Sequence, residues 1–136
     1  MADCIFCKIA KGEIPCAKIC EDERALSFFD VGPINPGHAL VIPKKHYATL
    51  FEMDVEDLQA CIVMAQKVAR AVLKAMAPAG LNLLQNNFRA AGQLVEHAHF
   101  HLIPRQPQDR FLAAWPAKSY AAGEIEKILQ KVKGAL

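Results

Sequence analysis

The amino-acid sequence predicts an α+β fold in which an antiparallel sheet of five strands packs with one long helix and a C-terminal helix. Three observations support this prediction. Apolar segments of strand length lie on both sides of a single long segment with helical periodicity. Compact loops rich in Gly, Pro, Asn and Asp separate these segments. Short connections of this kind favour hairpins and therefore antiparallel pairing.

Three strands are predicted in the first third of the chain, after a short helical turn at residues 4–11. Pro15 ends this turn, because the residue before a proline avoids the helical region. The strands are predicted at residues 17–21, 24–29 and 38–43. The Gly- and Pro-rich residues 31–37 form the most strongly predicted loop of the chain.

The long helix is predicted from Asp54 to the turn at Pro78 and Gly80. Asp is a favoured N-cap residue, and Pro and Gly are typical helix stops. Apolar residues recur in this segment at three- and four-residue steps for about six turns. Two further strands are predicted at 81–86 and 94–103, followed by a final helix at 123–132. A chain of this length fits one domain, residues 1–136.

Composition and charge exclude several functions. Hydrophobic residues make up 53% of the chain and charged residues 22%, which is typical of a globular protein. The net charge of +2 is too small to predict a nucleic-acid groove or a membrane-binding face. No apolar run approaches the roughly 20 residues needed to cross a bilayer, and the N-terminus lacks the pattern of a signal peptide. We therefore expect a cytoplasmic protein. An odd number of cysteines, five, in a chain with no export signal argues against a disulfide framework, so we expect reduced thiols.

The most informative pattern is a row of three histidines, His97, His99 and His101, that alternate with apolar residues. In a strand, residues two apart share a face and lie about 6.6–7 Å from each other. Each imidazole has polar nitrogens that must be solvated or paired, so packing does not explain the row. Two uses fit it: a metal bound across the row, or one imidazole that attacks a substrate while its neighbours orient it.

The rest of the chain resembles the histidine triad (HIT) family of nucleotide hydrolases and transferases. The row itself, His97–Ile103, looks like the signature of that family. Other segments resemble its bacterial members: Cys4–Ile9, Gly12–Pro15, Phe28–Asp30, Pro36–His46 and Gly92-Gln93. The similarity covers nearly the whole chain in the family's order.

The resemblance implies catalysis by His99, which would attack the α-phosphorus of a nucleoside phosphoramidate or a short dinucleoside polyphosphate. Water would then hydrolyse the nucleotidyl-histidine intermediate. His101 would contact the phosphate oxygens, and His38 would support the row from the neighbouring strand. Asn86 and Gln93 would bind phosphate oxygens and the bridging atom.

The resemblance also implies a purine nucleotide as the ligand and a second copy of the chain as the partner. Asp30 would bind the ribose hydroxyls. The apolar slot for the purine ring would consist of Phe6, Ile9, Phe28 and Val31. The sheets of a homodimer would join through the long helix and an adjacent strand, with Trp115 and the C-terminal stretch near the partner's pocket.

A second site is predicted at Cys4 and Cys7, a Cys-x2-Cys pair of the kind that holds a tetrahedral metal. His46 and His97 are the candidates for the other two ligands, and the bacterial branch of the family is similar in using such a set. The ion would be a structural zinc, able to contribute on the order of 10 kcal/mol, and catalysis would need no metal. The alternative is a pair of buried thiols. Cys16, Cys20 and Cys61 are interpreted as ordinary free cysteines.

Three residues depart from the family's pattern and leave substrate choice and rate open. Phe88 stands where the family usually has glycine, and Leu94 replaces a small hydroxyl residue that contacts phosphate. Glu96 replaces an aromatic residue or proline. Two other functions therefore remain open: a zinc hydrolase that uses all three histidines as ligands, and a nucleotide-binding module with little or no catalysis.

Overall fold

One antiparallel sheet of five strands organises the computed structural model, which describes residues 3–112 and 114–136. The helices and strands are α1 (Ile5–Ala10), β1 (Lys18–Glu21), β2 (Ala25–Phe29), β3 (Ala39–Pro43), α2 (Val55–Met76), β4 (Gly80–Gln85), β5 (Phe100–Arg105) and α3 (Glu124–Gly134). Short 3₁₀ turns lie at Leu50–Glu52 and Arg89–Ala91. The spatial order of the strands is β1-β2-β3-β5-β4, and every neighbouring pair is antiparallel. The predicted α+β fold is confirmed.

The two faces of the sheet pack against different helices. Val41, Phe100 and Leu102 point to the face covered by α2, where they meet buried α2 residues such as Val68. Leu40 points to the opposite face, in a smaller apolar cluster with Phe6 of α1. Strand alternation thus separates a large core on one face from the face on which α1 lies.

The register of β5 places His101 on the α1 face. His101 lies directly opposite Leu40 of β3 and Leu84 of β4, and residues paired in this way share a face. Phe100 and Leu102, its neighbours on β5, point into the core as the alternation predicted. The sheet therefore holds the His101 imidazole away from α2.

Both predicted boundaries of the strand at residues 94–103 are wrong. The strand begins only at Phe100 and continues through Pro104 to Arg105. Before Phe100 the backbone forms hydrogen bonds outside the sheet. The Ala98 amide donates to the Tyr47 carbonyl oxygen at 2.7 Å. At the far end β3 pairs only as far as Leu102, so the missing N–H of Pro104 removes no bond to β3. Of the three histidines, only His101 lies in the strand.

The boundaries of α2 agree with the prediction, but the expected N-cap residue does not form a capping hydrogen bond with its side chain. Asp54 is the N-cap residue, but its carboxylate accepts from Tyr47 Oη at 2.9 Å and Lys45 Nζ at 2.8 Å instead of from the helix. At the other end Ala77 adopts a left-handed conformation with φ of 46°, and its amide donates to Leu73. The helix thus ends at Met76, two residues before Pro78.

The C-terminal helix α3 is predicted to within two residues and has no buried side chain. Its apolar residues, Ile125, Ile128, Leu129 and Val132, are all at least two-fifths exposed. Trp115 in the preceding segment is exposed as well. None of the helices in the described ranges is both long and apolar enough to cross a membrane.

Candidate active site and metal centre

Three imidazoles meet on the α1 face of the sheet. The ring centroids of His99 and His101 are 4.8 Å apart, and those of His101 and His38 are 5.2 Å apart. His38 precedes β3, His99 precedes β5, and His101 lies within β5. Because β3 and β5 are neighbours, the sheet register brings these three side chains together.

Hydrogen bonds fix which nitrogen of each ring carries the proton. The amide of Ile34 donates to His38 Nδ1 at 3.0 Å, so that nitrogen accepts. The proton of His38 is therefore on Nε2, which lies 2.9 Å from His101 Nδ1 and donates to it. His101 must then carry its own proton on Nε2, where it is available to an acceptor in the site.

His99 has the opposite arrangement. Its Nδ1 lies 2.6 Å from the His97 carbonyl oxygen, which can only accept, so Nδ1 carries the proton. Nε2 consequently carries no proton, and its lone pair is free. The ring packs edge-on against Phe6, with centroids 5.2 Å apart, and is 5% exposed. This tautomer is the one a nucleophilic imidazole requires.

Burial keeps all three rings neutral. Desolvation lowers the pKa of His99 and of His38 below the ordinary value of 6.5. The pKa of His101 falls to about 4, because burial and the neighbouring His99 and His38 all disfavour a positive charge. At neutral pH the site therefore presents uncharged imidazoles.

A cavity of about 460 Å³ opens in front of these rings. Its polar lining includes Asp30, His38, Asn86, His99 and His101, and its apolar lining includes Ile5, Phe6, Val31, Ile34, Leu84, Leu94, Ile103 and Phe111. A pocket with few polar groups and a largely apolar wall is typical of small-ligand sites. We call it the histidine cavity.

Behind this cavity, four side chains form a second cluster. The donor atoms of Cys4, Cys7, His46 and His97 all lie within 4.8 Å of one another. Cys7 Sγ is 3.2 Å from His46 Nδ1, and Cys4 Sγ is 3.4 Å from His97 Nδ1. Zinc bonds to sulfur and nitrogen place neighbouring ligands of a tetrahedron about 3.3–3.8 Å apart. The predicted set of residues therefore fits zinc in both chemistry and spacing.

His97 is held for this cluster by its other nitrogen. Its Nε2 donates to the Pro43 carbonyl oxygen at 2.8 Å, which leaves Nδ1 unprotonated and facing the two sulfur atoms. The side chain is fully buried, and burial lowers its pKa to about 4. A neutral imidazole with its second nitrogen bonded to a carbonyl is the usual form of a metal-binding histidine.

Comparison with known proteins identifies the family. A family model described as the HIT domain matches residues 11–108. The chain belongs to the HIT family. An adenosine 5'-monophosphoramidase of Schizosaccharomyces pombe is 43% identical over 135 residues, covering 96% of this chain and 98% of that protein.

Solved HIT structures agree with the fold. A crystal structure of a HIT family member from Bacillus subtilis is 39% identical with a TM-score of 0.92, covering 98% of this chain and 97% of that one. A zinc-bound HIT family protein from Mycobacterium smegmatis is 31% identical with a TM-score of 0.76, covering 99% of each chain. The HIT fold predicted from the sequence is therefore confirmed.

Several residues predicted for a HIT nucleotide site do line the histidine cavity. Asp30, Asn86, Phe6 and Val31 are all there. One oxygen of Asp30, Oδ1, accepts from the Gly32 amide at 2.8 Å. The other, Oδ2, is 3.7 Å from His38 Nε2. Asp30 therefore has a carboxylate oxygen on the cavity side.

Other predicted residues of the HIT site lie elsewhere. Phe28 is buried beneath Phe6, with ring centroids 5.7 Å apart, so Phe6 separates it from the cavity. Ile9 borders a different cavity, together with Ile14 and Pro15 at the end of α1. Neither side chain lines the histidine cavity, because both pack in the apolar cluster around Phe6.

Gln93 does not reach the histidine cavity either. Its Oε1 accepts from the Phe88 amide at 2.8 Å, and its Nε2 donates to the carbonyls of Ala48 and Val95 at 2.6 and 3.0 Å. The side chain is 6% exposed, and backbone groups occupy its whole amide. In this structure Gln93 holds the loop before His97, and it offers no free donor to a phosphate.

Sequence reasoning missed several apolar residues of the cavity wall. Ile103 lies two residues beyond His101 on β5, so strand alternation could have placed it on the same face. Leu84 lies opposite His101 on β4. That pairing depends on the sheet order, and no local sequence pattern shows it.

Proposed function

We propose that this HIT protein is a hydrolase that cleaves a nucleoside phosphoramidate, or a short dinucleoside polyphosphate, at the α-phosphorus. His99 is the nucleophile. One observation carries the proposal: His99 Nδ1 is bonded to a carbonyl, so a neutral ring presents its free Nε2 in a cavity beside His101. The name of the S. pombe relative, a monophosphoramidase, supports the hydrolase class and favours the phosphoramidate.

The reaction proceeds in two steps. In the first, the lone pair of His99 Nε2 forms a bond to phosphorus while the bond from phosphorus to the leaving group breaks, and the leaving group gains a proton. In the second, water attacks phosphorus, loses a proton, and releases His99. The two steps together consume one water, and positioning of the reacting groups with hydrogen-bond donors aimed at the phosphate supplies most of the rate.

The other residues bind and orient the nucleotide. His101 donates from Nε2 to a phosphate oxygen, and His38 keeps that proton on Nε2 through its own bond to His101 Nδ1. The carboxylate of Asp30 accepts from the ribose hydroxyls, and the amide of Asn86 donates to phosphate. Phe6 and Val31 contact the purine ring, which the apolar part of the cavity suits.

A structural zinc at Cys4, Cys7, His46 and His97 completes the proposal. The zinc-bound M. smegmatis structure and the spacing of the four donor atoms support it. When bound, the ion ties α1 to the segment before β5 and supplies no chemistry to the reaction. The competing zinc hydrolase needs His99 as a ligand, and the candidate ligand groups among the described residues do not include His99.

We also propose a cytoplasmic homodimer in which residues 1–136 form one HIT domain. β4 is at the edge of the sheet, and Leu83 on it is half exposed. Ile62 and Val63 on α2 are exposed as well. An open edge strand beside exposed apolar helix residues is suited to pairing with a second copy.

Hydrolysis of adenosine 5'-phosphoramidate by the zinc-loaded protein tests the activity. We expect release of adenosine monophosphate, and activity that survives mild chelation for as long as the fold survives. The zinc hydrolase would be favoured if activity disappeared with the metal and returned with it while the fold stayed intact. Tight nucleotide binding without turnover would favour the binding module.

A further inference from the structure

Cys4 and Cys7 lie three residues apart at the start of α1. Cys4 is the N-cap residue, and its sulfur accepts from the Cys7 amide at 3.4 Å. The Lys8 amide donates to the Cys4 carbonyl at 3.1 Å, which closes the first turn. Residues three apart across one helical turn have Cα atoms about 5 Å apart, within the range of about 4.4–6.8 Å that a disulfide spans. The backbone therefore holds the two cysteines where a bond between their sulfurs can form.

The other three cysteines have different surroundings. Cys61 is fully buried in the core between α2 and the sheet. Cys16 and Cys20 pack against the apolar clusters on opposite faces of the sheet, so the sheet separates their sulfurs. Cys4 and Cys7 are each partly exposed, and a cavity of about 330 Å³ opens beside Cys4. A small oxidant can therefore reach this pair.

A disulfide at this pair and the proposed zinc exclude each other. Two sulfur ligands of one tetrahedral zinc lie about 3.8 Å apart, because each Zn–S bond is about 2.3 Å long. A disulfide brings the two sulfurs to about 2.05 Å and removes the thiolates that bind the ion. His46 and His97 would then be the two ligands left, and two imidazoles do not make a structural zinc site. Oxidation of the pair would therefore release the metal.

The turn that carries the two cysteines also contacts the nucleophile of the proposed reaction. Phe6 lies between the cysteines in sequence, and its ring packs edge-on against His99 and His97, with centroids 5.2 and 5.9 Å away. Phe6 also lines the histidine cavity. Cys4 Sγ and Cys7 Sγ lie 3.4 and 3.5 Å from His97 Nδ1, so ligation there joins this turn to the segment before β5. Loss of that ligation would loosen the contact of Phe6 with His99.

We propose that Cys4 and Cys7 are a redox modification site, at which a peroxide forms a disulfide that releases the zinc and weakens nucleotide binding in the histidine cavity. This inference rests on the structural zinc and the nucleotide site of the proposed function. The oxygen–oxygen bond of hydrogen peroxide breaks, one sulfur becomes a sulfenic acid, and the second sulfur displaces its oxygen as water. The two thiols lose two electrons and two protons, and the peroxide becomes two molecules of water. In the zinc-loaded protein, where the sulfurs carry no protons, solvent supplies them.

Titration of the reduced, zinc-loaded protein with hydrogen peroxide tests the proposal. Trypsin cleavage after Lys8 yields residues 1–8, which contain Cys4 and Cys7 and no other cysteine. We expect this peptide to become lighter by two hydrogen atoms as an equal amount of zinc passes to a coloured chelator. Adenosine monophosphate should then bind about fivefold more weakly, as the loss of one aromatic contact allows. Dithiothreitol followed by zinc should restore all three properties.

Two comparisons separate the disulfide from simple loss of metal. Cys16→Ser is the matched control, and it should form the disulfide and release zinc as the natural protein does. The natural protein stripped of zinc by a chelator, but kept reduced, should take up zinc again as soon as zinc is added. The oxidised protein should take up zinc only after dithiothreitol has reduced it.

Zinc release without a disulfide in residues 1–8 would overturn the proposal, as would a disulfide that leaves the zinc bound or the nucleotide affinity unchanged. Hydrolysis of adenosine phosphoramidate by the reduced protein is followed in parallel. If that substrate is cleaved but peroxide forms no disulfide, the redox proposal fails and the proposed function stands. If the disulfide forms and the zinc leaves but the reduced protein cleaves no phosphoramidate, the proposed reaction fails and the redox site stands. If the reduced protein holds no zinc, the structural zinc and this inference fail together.

Discussion

His97 and His99 are two residues apart, yet the structure assigns them to different sites. His97 donates from Nε2 to the Pro43 carbonyl and points Nδ1 at two thiols. His99 donates from Nδ1 to the His97 carbonyl and leaves Nε2 free. In both residues one backbone carbonyl fixes the proton on one nitrogen and thereby decides what the other can do. Under the proposed function, the hydrogen-bond partner of the first nitrogen is what separates a metal ligand from a nucleophile.

The largest effect is expected at His99. His99→Ala removes the attacking nitrogen, so turnover of adenosine phosphoramidate should fall by roughly 10⁴-fold or more. Zinc content, the thermal unfolding curve and nucleotide binding should change little, because His99 is not a ligand of the cluster. Comparable turnover in this variant would contradict the division between the two sites.

The second effect concerns stability. Cys4→Ser removes one proposed zinc ligand and should lower both zinc content and the unfolding temperature, the latter by roughly 10 °C. Activity should fall only as a secondary result. Cys16→Ser is the matched control, since Cys16 is a half-buried cysteine outside the cluster. If Cys4→Ser and His99→Ala behaved alike, the two clusters would not be functionally separate.

The third effect is on pH dependence. Burial lowers the pKa of His99 below the ordinary value of 6.5, and the pKa of His101 falls to about 4, so His101 stays neutral well below pH 6.5 and His99 is protonated only at a lower pH than a free imidazole. We expect the acid limb of kcat/KM to be displaced below pH 6.5, with no decline between pH 8 and 7. The unfolded chain binds these protons at about 6.5, so stability should also decrease as the pH falls from there toward 4. An acid limb of kcat/KM centred at 6.5 would contradict this prediction.

The smallest effect is expected at His38, which acts through His101. His38→Phe removes the donor that keeps the His101 proton on Nε2 and should lower kcat by about tenfold, with less change in KM. Nitrogen NMR of the His101 ring supplies a readout that a purely structural role would not move. The His101 signal should show Nε2 protonated in the natural protein and a mixture of tautomers in the variant.

The sequence predicted which residues form the metal cluster and the histidine row, but it did not predict the backbone structure that holds them. The spacing of Cys4 and Cys7 and the family resemblance together predicted a ligand set that the structure brings together. The period-two pattern of residues 97–101 suggested a single strand. In the structure, the Tyr47 carbonyl binds the Ala98 amide instead, and a contact between residues so far apart in sequence leaves no local pattern.

Gln93 and Phe28 show that the contacts of a single side chain were also not predictable from the sequence. An amide in a loop can bond to a ligand or to the backbone, and its residue type does not distinguish the two. Here three backbone groups take every polar atom of Gln93 that can bond. Phe28 lies on the correct side of the sheet, but whether it or Phe6 is outermost depends on how α1 docks.

Mapping of the covalent intermediate tests the central claim most directly. The zinc-loaded protein is mixed with adenosine phosphoramidate, quenched without acid during the first turnover, digested and analysed by mass spectrometry. We predict a nucleotidyl group on the peptide that contains His99, located on His99 itself, in a protein that still holds its zinc. Turnover without any adduct, or with the nucleotidyl group on a different residue, would contradict the account.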